Sequence, residues 1–105
     1  MNQFLELVAK ERTRQINDEG YAHEHDDKHT DGSLADAAAC YANTINSNEE
    51  LIPYWPWEPE YLKKEEKSRK DQIITACAML MAEYDRLERE EQKQTQGYTN
   101  EIPQH

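Results

Sequence analysis

Apolar positions recur every three or four residues toward both ends of the chain and lose that period in the middle, so helices are expected to flank an irregular segment. Near the N-terminus, Leu5, Val8, Ala9, Arg12 and Ile16 trace one stripe and predict a helix over 3–18. Gly20 stands where a left-handed helix stop belongs, with Tyr21 placed to fold back on the last turn. A second helix is expected to open at Ser33, with Ser33 and Asp36 as a capping pair and Leu34, Ala37, Ala38, Tyr41 and Ile45 as its apolar stripe. The third pattern is the most continuous. Ile73, Ile74, Cys77, Leu80, Met81, Tyr84 and Leu87 form an unbroken apolar face that predicts a helix through at least Arg89, opened by a Ser68–Asp71 capping pair.

Between the second and third patterns lies ELIPYWPWEPEYL, whose three prolines fix φ and remove donors. Two Trp and two Tyr in this piece carry too much apolar surface to be left in water, so the segment should be an ordered loop packed over one end of a small core. After Glu91 the periodicity disappears, and 92–105 reads as a flexible, disordered tail. The fold class expected is mainly α. A single small domain over 1–91 holds three main helices and the long aromatic and proline loop, with the tail at 92–105.

Composition narrows what such a domain can do. A chain of 105 residues has room for one modest core. Apolar residues make up 36% and charged residues 32%, which describes a strongly solvated body. The formal charge of −10 opposes direct binding to a phosphate backbone, because nucleic-acid affinity rests on Lys and Arg displacing counterions. The same charge suits a basic groove on a protein, since complementary fields speed encounter, although plain solubility explains it equally well. No apolar run is long enough to span a membrane, and the first residues lack the basic start and apolar block of a secretion signal, so a cytoplasmic protein is expected. Cys40 and Cys77 fall on predicted helices and read as small core residues rather than a disulfide.

The chemistry-bearing residues concentrate in EGYAHEHDDKHTDG, residues 19–32. His23, His25, Asp27 and His29 alternate there, and imidazole with carboxylate suits a divalent transition metal. The run misses the HxHxDH pattern of metallo-β-lactamase-type hydrolases, because Lys28 stands where the last His belongs and the chain is about half the length that fold needs. A smaller metal set of His25, Asp27 and His29 with water remains, against a solvated linker or a ligand-orienting turn. The helical acids Glu11, Glu19, Asp36, Asp71, Glu83 and Asp85 invite comparison with compact MazG-like pyrophosphohydrolases, but their spacing puts no paired carboxylates on one inward face. The three glycines form no phosphate loop, and no nucleophile turn is present.

The run ERTRQINDEGYAHEHDDKHTDGSLADAAACYA, followed by PYWPWE and then SRKDQIITACAMLMAEYDRLERE, resembles a family of small uncharacterised phage and prophage proteins. Their pattern is ERxRQIxxEGW, EHDDxHxDGxLAxAAxxYA, WPW and RRDxIKAxAxIxAEIxRL in succession. The resemblance covers about residues 11–90 and departs at Tyr21, where the family usually has Trp, and in a longer spacer at 46–50. It implies a phage setting and brings no activity. A shorter, gapped resemblance to the ryanodine-receptor repeat domain runs through Glu19, Gly20, Tyr21, Asp27, Lys28, His29, Leu34, Pro53, Tyr54 and Asp71, with Thr30 where that motif has proline. It implies a small ligand-sensing or interaction module.

Small size, acidity and phage resemblance together describe an accessory protein acting as a non-enzymatic binding module, such as an inhibitor of host defence of the anti-CRISPR kind. It would bind a host defence protein with a basic surface or sequester a nucleotide-type ligand. The expected site lies where the histidine turn meets the aromatic loop, with Tyr21, His23, His25, Lys28, His29, Tyr54, Trp55 and Trp57 lining it and Arg12, Arg14 and Arg69 offering positive charge. No catalytic residue or cofactor is assigned, neither nucleic acid nor membrane is an expected partner, and self-association stays open. The alternative is a metal-dependent MazG-like nucleotide pyrophosphohydrolase using the acidic turn.

Overall fold

The computed structural model describes residues 2–19 and 32–101, with side chains described for 2–17 and 32–93. The described residues form helices and turns with no strand. Helix α1 spans Gln3–Glu19, α2 Ser33–Ala42, the short α3 Asn48–Leu51 and the long α4 Arg69–Glu101. Between α3 and α4 the chain makes 3-10 turns at Ile52–Tyr54, Pro59–Tyr61 and Lys64–Glu66. The loop expected there is therefore ordered, and two of its three prolines sit at the start of a turn, where the missing N–H costs nothing.

Helices α1 and α2 both pack on α4. The core gathers Ala37, Ala38, Cys40 and Tyr41 of α2, Leu51 of α3, Trp55 and Leu62 of the loop, and Ala76 and Met79 of α4. Small residues at the α2–α4 contact let the two backbones approach closely. Trp55 closes this core edge-on to Tyr41, with ring centroids 5.8 Å apart, and Trp57 stands edge-on to Trp55 at 5.3 Å. The Trp55 indole N–H donates to the Glu58 carbonyl at 3.0 Å, and Tyr41 Oη accepts from the Lys63 amide at 2.9 Å. Trp55 and Tyr41 thus bury their rings and spend their polar ends on holding the loop.

Several expectations change. In α1, Val8 and Arg12 are buried as the stripe predicts, but Leu5 and Ala9 are exposed and Gln15 is buried in their place, because the contact with α4 is rotated from the apolar count. Ser33 does not cap α2. Gly32 occupies the cap with a left-handed φ of 84° and no side-chain bond, which leaves Ser33 as the first helical residue and buried. Ile45 falls after the end of α2 and is exposed, since the helix stops at Ala42. The Ser68 cap is present, its hydroxyl accepting from the Asp71 amide at 3.2 Å. Helix α4 continues to Glu101, past the boundary drawn at residue 92, because helical hydrogen bonding survives without an apolar stripe and no proline intervenes before Pro103.

The largest change concerns α4. Its buried residues are Gln72, Thr75, Ala76, Ala78, Met79, Ala82 and Arg86, whereas Leu80, Tyr84 and Leu87 remain 49%, 65% and 44% exposed. At 100° per residue the centres of these two sets lie about 130° apart around the helix. The most regular apolar stripe in the sequence therefore faces outward. None of the described helices is long and apolar enough to cross a membrane.

Candidate functional site

The end of α2 meets the aromatic loop in a junction built from backbone carbonyls and two cations. A helix leaves its last carbonyls without intrahelical partners and carries partial negative charge there. Lys64 answers this from the loop: its side chain is fully buried, and Nζ donates to the carbonyls of Cys40, Asn43 and Ile45. Arg69, at the start of α4, donates to the carbonyls of Ala42 at 2.6 Å and Asn43 at 2.9 Å. Gln72 completes the junction by donating to Asn46 Oδ1 and to the Lys64 carbonyl, both at 3.0 Å. Burial, reinforced by the nearby Arg69 charge, lowers the Lys64 ammonium from its ordinary value. Burial raises the Cys40 thiol, with Lys64 opposing and Asp36 adding to the shift, so Cys40 is not an activated nucleophile.

Beside this junction opens a cleft of about 520 Å³, lined by Asp36, Ala39 and Cys40 of α2, Asn43 and Ile45 after it, Leu51 of α3 and Tyr54 of the loop. Tyr54 is 70% exposed at its rim, with Ile52 and Tyr61 also exposed on the loop. Glu49, Glu50, Glu58, Glu60, Glu65 and Glu66 are all exposed along the same segment. The Glu65 carboxylate accepts from the Asn48 amide at 2.7 Å, which ties the last 3-10 turn to the start of α3. The result is an apolar cleft with an aromatic lip on an acidic stretch of chain.

The expected site residues separate. Tyr54 lies on the cleft, Trp55 is spent in the core and Trp57 packs half-buried against it. Arg69 is consumed by the end of α2 rather than offered to an anion, and Arg12 is buried on α1, away from the cleft lining. Tyr21, His23, His25, Lys28 and His29, with the metal set His25, Asp27 and His29, lie outside the described residues. Glu11 is partnered by Arg14 at 2.8 Å and Gln15 at 3.1 Å; burial would raise its carboxyl, but Arg14, Gln15 and Lys67 hold it below the usual carboxylate range. Glu83 and Glu90 bracket Arg86 at 2.8 Å, raising its already high value against the opposing effect of burial. Among the described residues, no group of three His, Cys, Asp or Glu side chains is placed to hold a metal ion.

Lys64 and the cleft residues Asp36, Ala39 and Leu51 were not legible as functional from the sequence. Lys64 sits in KKEEK, where nothing local distinguishes it from the exposed Lys63. No family model matches the chain, and neither the curated proteins nor the solved structures contain a significant match.

Proposed function

We propose that the protein is a non-enzymatic binding module, a small phage or prophage accessory protein that acts on a host protein with a basic surface. The observation that carries this reading is the cleft beside Tyr54, set in a segment whose glutamates at 49, 50, 58, 60, 65 and 66 all face solvent. A partner would place an apolar side chain in the cleft and basic groups over the glutamates, with the acidic field steering the encounter. A nucleotide-type ligand is less well matched at this place, because the cleft lining includes the Asp36 carboxylate and, among the described residues, no cationic side chain. Of the cations that the sequence offers to an anion, Arg69 is engaged by α2 carbonyls, as is the buried Lys64. The metal-dependent pyrophosphohydrolase reading would have to draw its ligands from the turn at His25, Asp27 and His29.

Titration against a panel of purified basic host nucleases tests the reading. A specific complex should form, weaken as salt rises, and lose about tenfold in affinity with Tyr54→Ala, the size expected for an aromatic anchor. Magnesium- or manganese-dependent cleavage of a nucleoside triphosphate that disappears with Asp27→Asn or His29→Ala would overturn it in favour of the hydrolase.

A further inference from the structure

On the outer side of α4, Ile73, Cys77, Leu80, Tyr84 and Leu87 alternate in steps of four and three residues, which is the period of a coiled-coil seam. Leu80, Tyr84 and Leu87 are large and exposed, and Ile73 and Cys77 are half-buried. A seam of this kind, facing water along a helix of 33 residues, is the surface by which helices pair. We propose that two copies of the chain associate through it, with their α4 helices antiparallel and Tyr84 on the two-fold axis.

Close to Tyr84 the spacing nearly matches its own reverse, with Leu80 on one side and Leu87 on the other. Running the helices in opposite directions sets Leu80 against Leu87 of the partner subunit, and Cys77 against the partner's Glu91. An isologous contact of this kind closes on itself and gives a dimer rather than a filament. The flanking charges select the direction. A parallel pair would set Glu91 against its own copy in the seam and Glu83 against the partner's Glu88 along both rims, so that like charges meet at more places than in the antiparallel pair. The antiparallel pair separates the two Glu91 side chains. It lays Glu88 over the stem of the partner's Met81 and Glu90 beside the partner's Ala76, and it leaves the two Glu83 as the one close like-charge contact. Each Glu83 already hydrogen-bonds Arg86 of its own helix at 2.8 Å, which offsets that repulsion.

The molecule supplies a seat for the rest of the partner helix. At the start of α4, Ile73 and Ile74 join Gln3, Phe4 and Leu7 of α1 and Lys70 around an open groove of about 340 Å³. In the antiparallel register, α4 of the partner runs along this groove after passing Glu91, and α4 continues to Glu101. The groove therefore continues the seam at each end of the dimer. The exposed Phe4 and Leu7 of α1 then face a helix instead of water.

Sedimentation equilibrium of the full chain tests the proposal. The native protein should approach twice the mass of one chain as concentration rises. Tyr84→Glu and Leu80→Glu should each return it to the mass of one chain while circular dichroism keeps the native helix content, since both positions are exposed in the single chain. Disulfide trapping in a Cys77→Ala background reads the direction. A mixture of Leu80→Cys and Leu87→Cys chains should cross-link far more completely than either variant alone. A single-chain mass at every concentration overturns the proposal and assigns the seam to a foreign helix. A dimer that survives Tyr84→Glu, or Leu80→Cys chains that cross-link to each other as readily as to Leu87→Cys chains, also overturns it.

Discussion

Two faces of α4 teach opposite lessons about what an apolar side chain is for. The inward face carries Ala76, Ala78, Met79 and Ala82 with the polar Gln72, Thr75 and Arg86, and it is buried under α1 and α2. The outward face carries Ile73, Cys77, Leu80, Tyr84 and Leu87, which have far more apolar surface per residue, and it stays largely in water. Burial in one chain is decided by how closely backbones can approach, and alanine permits the closest approach. Polar residues on that face are tolerated because they have partners: Gln72 reaches Asn46 and the Lys64 carbonyl, and Arg86 lies between Glu83 and Glu90. The large side chains follow a heptad instead, the period that suits a second helix.

Substitutions can break or sharpen this contrast. The largest effect is expected at Lys64, which joins the inward side by holding the end of α2. Lys64→Met keeps the stem and removes the ammonium, so the Cys40 and Ile45 carbonyls lose this donor while Asn43 keeps Arg69. Urea unfolding should show a loss of about 3 kcal/mol, and a loss below about 1 kcal/mol would mean that the junction is not what fixes α2. Next comes Ala78→Leu, at a position with no exposure, where the added volume should force the helices apart at a cost of about 2 kcal/mol. If Ala78→Leu leaves the urea midpoint unmoved, close approach is not what selects the inward face.

The outward face should behave in the reverse way. Tyr84→Ser removes a much larger side chain than any alanine of the inward face, yet in dilute solution it should change the stability of the single chain by no more than about 0.5 kcal/mol. Its effect should be confined to association at high concentration. The smallest expected effect is at Glu11. Its carboxyl titrates below its ordinary value of 4.5, so its contribution to stability is present above that pH and is lost as pH falls through the lower folded value. Glu11→Gln should lower stability slightly near neutral pH and leave it unchanged once pH falls below the folded value, so that the acid limb of the stability profile flattens, as read from urea midpoints across the acid range.

The candidate site was only partly legible in advance. Tyr54 and the idea of an ordered aromatic loop could be read from prolines and aromatics crowded into one segment, because buried ring surface and fixed φ are local properties. That Trp55 belongs to the core and Tyr54 to the surface could not be read, since adjacent residues on a turn differ only by the direction the backbone gives them. Arg69 looked like a cation for a ligand. In the fold it donates to three carbonyls brought to it from residues 41–43, a contact that no local pattern around Arg69 announces.

The amino-acid sequence by itself determined the helices. The existence and the starts of α1, α2 and α4, the Ser68 cap and the interrupted middle follow from local energies: periodic burial, capping and proline geometry. Which face of α4 points inward was a tertiary decision. Periodicity marks a face as apolar without saying what will cover it, and α1 and α2 settled on the small residues because there the helices come closest. Lys64 is the same kind of case. In the sequence it is one lysine among several, and only the arrival of α2's last carbonyls, more than twenty residues earlier in the chain, made a buried ammonium stable.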